Sequence, residues 1–356
     1  MIFRYIIILK ELYARKSTMA KITIIGAGMM GSAMSVPASY NNNTIRIVGT
    51  PLDDNIINEA LNSGYHMTLK RQLPKGNEYY HYSDLDKVLN DSDCIICGVS
   101  SFGVDWFSEN VLPKLDERIP VLSITKGLKM DENGKMISFS EYYSKNHPNK
   151  HFSLNCVGGP CTSYELVDMH NTEVAFCGDN MKDLEFFKSI LQTPYYHISL
   201  TTDVIGLETA VALKNAYALG VSLAIGMAER NQTEDSVPDY NAQAGLFYQA
   251  VKEMSKLLAI NGGESNKIAF GAGDLYVTVF GGRTRKIGTL LGKGIRYSQA
   301  KEMLKGVTLE SIAITKLVTE SLIKTNANTK DLPLLFHIKS LIEEKQEEIP
   351  WDLFTN

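Results

Sequence analysis

The 356-residue sequence has no surplus of charge of either sign: 36 Lys and Arg stand against 40 Asp and Glu, a net charge of −4. That excludes the basic footprint by which nucleic-acid and anionic-membrane binders hold their partners. Cysteine is scarce, at five residues. A small, odd number excludes a disulfide framework and fits a reducing cytoplasm. Cys94 and Cys97 form a C-x-x-C, but within an apolar run that reads as a buried strand, so core packing is expected of them. No internal repeat and no low-complexity segment is present. The short apolar run in residues 1–10 is broken by Arg4, is too short to span a bilayer and lacks a small-residue cleavage site. Residues 1–19 are expected to be an extension ahead of the first convincing strand. What remains has an ordinary globular balance, 44% hydrophobic and 21% charged, in a chain long enough for two cores.

From Lys21 to Ile198 strands and helices alternate, which predicts a doubly wound parallel sheet. Strands are expected at Lys21–Ile25, Thr44–Val48, Cys94–Val99, Val121–Gly127, Ser153–Val157, Glu173–Phe176 and Tyr195–Ile198. The first is followed by Gly26-Ala-Gly-Met-Met-Gly-Ser-Ala33 and a helix. This G-x-G-x-x-G turn suits a dinucleotide. Gly26 permits the turn, Gly28 lets the backbone approach a pyrophosphate, and Gly31 lets helix and strand pack closely. The phosphates would sit on the helix N-terminus. At the end of the second strand stand Gly49 and Thr50, with Asp53 and Asp54 slightly late and Arg46 inside the strand, so NAD and NADP both stay open. His66, Lys70, Arg71 and Lys75 are expected to be solvated loop charges. Phe102 lies in a turn placed to cover the cofactor or to enter the core, and Lys126 ends a strand where open α/β sheets bind ligands.

From Asp203 onward only helices are expected. The chain therefore reads as a Rossmann-type doubly wound sheet at 20–202 followed by an all-α domain at 203–356. The first helix, 204–227, is apolar and long enough to cross a membrane, yet it carries Glu208, Lys214 and Asn215, which argue against a span. A lysine in such a helix needs partners and a purpose. A polar loop is expected at Glu229–Asp239 and a helix at Asn241–Ala259. Asp274, after a glycine pair, reads as a helix N-cap or first-turn residue, with Thr278 on the same face and Arg283 and Arg285 beyond a Gly-Gly break. Arginine's planar fork suits phosphate.

These motifs together resemble the NAD(P)-dependent glycerol-3-phosphate dehydrogenase family over roughly residues 20–325. The resemblance rests on the Gly26–Ala33 turn, Thr125-Lys-Gly-Leu128, Glu208-Thr-Ala-Val-Ala-Leu-Lys-Asn215, Gly271-Ala-Gly-Asp-Leu275 with Thr278, Gly282-Arg283 and Gly288-Thr-Leu-Leu-Gly-Lys-Gly294. It implies that Lys214 exchanges the proton of the substrate C2 hydroxyl and that Lys126 polarises the C2 oxygen. Asn215, Asp274 and Thr278 would orient the lysine and bind substrate, and Arg283 would hold its phosphate. It implies cofactor contacts at Gly26, Gly28, Met29, Met30, Gly31, Thr50, Phe102, Lys126, Ser163, Arg283 and Lys305, with NAD or NADP bound and no metal. Three departures fall on ligand-facing positions: Thr284 for an asparagine, Gly159-Pro-Cys161-Thr-Ser163 for Gly-Pro-Ser-Phe-Ala, and Lys305-Gly306 for Glu-Gly, with Glu310 close by.

The expected activity is interconversion of sn-glycerol 3-phosphate and dihydroxyacetone phosphate by a cytoplasmic homodimer, feeding phospholipid synthesis or carbon and redox balance. Two alternatives are a paralogue acting on another polyol or keto-sugar phosphate, and a non-catalytic dinucleotide sensor. Retention of Lys126, Lys214, Asp274 and Arg283 together argues against the sensor.

Overall fold

The computed structural model describes residues 19–231, 240–345 and 348–354. Residues 1–18 of the expected extension and 232–239 of the expected polar loop lie outside them.

Eight strands form one sheet: β1 (Lys21–Ile25), β2 (Thr44–Val48), β3 (Glu78–Tyr80), β4 (Cys94–Cys97), β5 (Val121–Ser123), β6 (Leu154–Gly158), β7 (Thr172–Gly178) and β8 (Tyr196–Thr201). Their order is β8-β7-β6-β5-β4-β1-β2-β3. Ile22, Ile24, Ile25, Cys94 and Cys97 are all 0% exposed, as befits strands covered by helices on both faces. From β3 to β6 the pairing is parallel and follows the nucleotide-binding order, with its switch point between β1 and β4.

The sheet departs from all-parallel at its far end. β7 runs antiparallel to β6, and β8 follows β7. The link between β6 and β7 carries only the five-residue helix Ser163–Val167. A parallel return needs a crossover long enough to recross the sheet, so the chain turns back from the end it has reached. β5 is also shorter than expected. It stops at Ser123, which leaves Lys126 in the loop beyond the strand rather than on it.

The helical half is built around α2 (Val204–Asn231), against which pack α3 (Tyr240–Asn261), α4 (Ile268–Val279), α5 (Gly282–Gly292), α6 (Glu310–Lys324) and α7 (Pro333–Ile342). Although α2 is long and apolar enough to cross a membrane, its residues Leu213, Ala216, Tyr217, Leu219 and Leu223 form the centre of the helical core. The contact of α4 with α2 is close because of Gly271. A Cβ there would lie 2.7 Å from the Ala210 carbonyl oxygen. One turn further along each helix stand Asp274 and Lys214, so this glycine fixes how near they come.

Glu253 on α3 ties the helices together. Its buried carboxylate accepts from Tyr217 Oη (3.0 Å), Gln249 Nε2 (2.7 Å) and the Leu334 and Leu335 N–H groups that open α7 (2.7 and 2.9 Å). Burial pushes its pKa up, while the four donors oppose that shift. Replacing Glu253 with Ala strands these donors without water. The expected loss in urea unfolding is about 3 kcal/mol. A loss below about 1 kcal/mol would contradict the assigned role.

Candidate active site

The dinucleotide turn follows β1. Gly26 has φ +107°, and a Cβ on it would lie 2.8 Å from the Gly98 carbonyl beyond β4. Gly28 caps α1 (Met29–Tyr40) with extended backbone, φ −67° and ψ 174°. A Cβ on Gly28 would meet nothing within 4 Å. The helix N-terminus with its free N–H groups therefore opens onto space from which only a side chain would bar a ligand. That geometry fits a dinucleotide pyrophosphate. Gly26 and Gly31 are buried, whereas Gly28, Met29 and Met30 are half-buried at the opening.

Two residues brace this turn from behind. Asp53 bends back so that its Oδ2 accepts from the Ala27 N–H (3.2 Å), the Thr50 N–H and the Thr50 hydroxyl (both 2.8 Å). His66, expected in solvent, is instead 0% exposed, and its Nε2 lies 2.9 Å from the Ala27 carbonyl oxygen. It sits in the ribbon of Tyr65–His66 with Arg71–Gln72, whose Arg71 pairs with Asp168 at 2.8 Å. A single histidine among loop charges gives no sequence signal of such burial. The neighbouring Leu69 and Leu73, both buried, were the available clue that this loop has an inner face. Arg46 is engaged by Asp91 (2.9 Å) and Glu78 (3.4 Å), away from the turn.

On α4, Asp274 is the junction of two lysines. Lys214 Nζ donates to Oδ1 at 2.6 Å and Lys126 Nζ to Oδ2 at 2.5 Å. Lys126 also donates to the Gly159 carbonyl at 2.7 Å. The Asp274 side chain is 1% exposed and each lysine side chain 14%. Burial pushes the Lys214 pKa down, Asp274 opposes the shift and Lys126 adds to it. Asp274 lies in the middle of α4 and is not its N-cap; the glycines before it are helical, and the helix opens at Ile268. Pattern reading placed a cap there because Gly-Ala-Gly-Asp resembles a loop-to-helix junction, whereas close packing on α2 and on Pro160 is what needs the glycines. Thr278 shares Asp274's helix face, but its hydroxyl donates to the Asp274 carbonyl at 2.6 Å. Cys161 is half-buried in the electrostatic reach of Lys126, Asp274 and Lys214, and burial pushes its thiol up to about 11. It is therefore neutral at physiological pH.

A second carboxylate gathers a neighbouring set of side chains. Glu310, at the start of α6, accepts from Asn215 Nδ2 and Ser101 Oγ, each at 3.5 Å, and lies 3.6 Å from Arg283. Arg283 is half exposed on the first turn of α5, beside a buried Thr284. Ser163, also buried, opens the short helix packed on α1. Phe102, 58% exposed, and Lys305, paired with Glu302 at 3.3 Å, line one cavity of about 630 Å³ on the rim. Lys126, Lys214, Asp274, Gly159 and Cys161 are thus brought together, with Asn215 and Arg283 gathered on Glu310. Phe102 and Lys305 stand apart from them at the rim.

The chain is similar to known proteins along most of its length. The family described as NAD-dependent glycerol-3-phosphate dehydrogenase matches with its N-terminal part over residues 21–183 and its C-terminal part over 203–349. The NADP(+)-dependent glycerol-3-phosphate dehydrogenase of Archaeoglobus fulgidus is 33% identical over 94% of this chain and 99% of its own length. A Clostridium botulinum glycerol-3-phosphate dehydrogenase [NAD(P)+] is 25% identical over 92% and 94%. In fold, the chain is similar to the crystal structure of glycerol-3-phosphate dehydrogenase from Coxiella burnetii, with TM-score 0.79, 21% identity and 94% and 98% coverage. The chain belongs to the NAD-dependent glycerol-3-phosphate dehydrogenase family.

Proposed function

We propose that the cleft built on Lys214 carries out this chain's reaction, the NAD(P)-dependent interconversion of sn-glycerol 3-phosphate and dihydroxyacetone phosphate, as follows. A nicotinamide dinucleotide, held by the Gly26–Gly31 turn and the α1 N-terminus, supplies or accepts the hydride at substrate C2. Lys214 takes the C2 hydroxyl proton in oxidation and returns it in reduction. Lys126 gives two of its three N–H donors to Asp274 and Gly159, so it is fixed with one donor left for the C2 oxygen. That donor stabilises charge as it develops on oxygen. Asp274 orients both lysines. Arg283 takes the substrate phosphate, exchanging Glu310 for a stronger bidentate partner.

The observation that carries this reading is the lysine–carboxylate–lysine junction, which sets a lysine of lowered pKa beside a second, doubly anchored lysine donor. The division into units at 20–202 and 203–356, with the cleft between them, belongs to the same reading. So does a cytoplasmic homodimer making glycerol 3-phosphate for phospholipid synthesis, supported by five free cysteines and by the exposed aromatic cluster of Tyr276 and Phe280.

Two outcomes follow from the roles of these residues. Lys214 must be neutral to accept a proton, and its pKa is lowered from the usual 10.5. The kcat/KM for glycerol 3-phosphate oxidation is therefore expected to rise with pH and level off below the ordinary lysine range, while reduction of dihydroxyacetone phosphate falls as pH rises. Replacing Lys214 with Ala removes this limb and lowers kcat about 10²–10⁴-fold. A variant within about fivefold of wild type would remove Lys214 from the chemistry. Replacing Arg283 with Ala is expected to raise the KM for both phosphorylated substrates about 10- to 100-fold with a smaller change in dinucleotide KM. An unchanged substrate KM would place the phosphate elsewhere.

A further inference from the structure

Ala27 is held through both of its peptide units: Asp53 takes the N–H of the Gly26–Ala27 unit, and His66 faces the carbonyl of the Ala27–Gly28 unit, to which the Ser32 hydroxyl also donates at 3.3 Å. The tautomer of His66 follows from its second bond. The Leu69 N–H donates to Nδ1 at 3.1 Å, so Nδ1 carries no proton and Nε2 is the donor to Ala27. The ring is wholly buried between the dinucleotide turn and the 65–73 segment, whose Leu69 and Leu73 join the same core as Ala27.

A peptide unit is planar and trans, so the Ala27 carbonyl and the Gly28 N–H point to opposite sides of one rigid plane. Ala27 is 1% exposed and its carbonyl faces inward to His66. Gly28 is half-buried and opens onto empty space. Holding the carbonyl inward therefore aims the Gly28 N–H outward.

We propose that His66 is a positioning residue for the dinucleotide: it locks the Ala27–Gly28 peptide so that the Gly28 N–H faces the phosphate. The inference rests on the reading of the Gly26–Gly31 turn as the dinucleotide site. His66 touches no ligand and acts through Ala27. It does so only as the neutral ring, because a proton on Nδ1 would oppose the Leu69 N–H. Burial lowers the His66 pKa below its usual 6.5, and Asp53 is the charged group that opposes this. The native pair of bonds is thus complete above that usual value and is lost as pH falls toward the lower folded value. Cofactor affinity inherits this dependence.

The test is calorimetric binding of NAD+ and NADP+ to the full chain from about pH 5 to about pH 8, for wild type, His66→Gln and His66→Leu. Gln retains a donor for the Ala27 carbonyl and does not titrate in this range. Taking the ratio of variant to wild-type Kd cancels titration of the ligand itself. At neutral pH, His66→Gln is expected to stay within about threefold of wild type and His66→Leu to weaken binding about tenfold. As pH falls, the Gln-to-wild-type ratio is expected to drop, because only wild type loses its clamp. A flat ratio, or a folded His66→Leu protein that binds as wild type does, would overturn the proposal. Should His66→Leu not fold, the pH dependence of the Gln ratio decides. Failure of wild type to bind either dinucleotide would overturn the site reading and this inference with it, whereas normal wild-type binding with a flat ratio removes only the role of His66.

Discussion

The site depends on one buried carboxylate shared by two ammonium groups. Asp274 is almost fully desolvated, and a lone carboxylate there would cost several kcal/mol or take up a proton. Two lysines supply the donors it would otherwise lack, and it in turn keeps them close. That mutual need explains why elements far apart in sequence meet here. Lys126 comes from the loop after β5, Lys214 from α2 and Asp274 from α4. Gly271 lets α4 approach α2 closely enough for the shared bonds to form. Two like charges on one acceptor also bias the pair. Burial and the neighbouring Lys126 both lower the Lys214 pKa, while Lys126 is anchored by a second bond to the Gly159 carbonyl.

The dinucleotide side works by a different principle. Its ligand-facing groups are backbone N–H groups, which have no rotamers and are aimed only by what holds the peptide planes. Here the holding is done from behind by Asp53 and His66, one on each side of Ala27. In the proposed reaction a charged cluster would handle proton and phosphate and a rigid turn the cofactor; Glu310 links the two sides by accepting from Ser101 and Asn215.

Much of this was legible in the sequence because the relevant signals are local. An isoleucine-rich strand running into G-x-G-x-x-G, and a lysine stranded in an apolar helix, each announce a physical problem that a cofactor or a partner must solve. The antiparallel turn at β7 was not legible, since alternation of strands and helices does not report direction; only the brevity of the 163–167 helix did. Asp274 was placed in the site but given the wrong local role, because glycines that serve close helix packing look like glycines that break a helix. His66 was missed because its burial is decided by the fold of a loop around it, and a two-residue strand leaves no periodicity to read.

The most direct test of the central claim is an NMR titration of isotope-labelled lysine ammonium groups in wild type and Asp274→Asn. Lys214 is expected to titrate below the other lysines in wild type, and lower still in the variant, where the opposing carboxylate is gone. A Lys214 that titrates with the surface lysines and does not respond to Asp274→Asn would contradict the account.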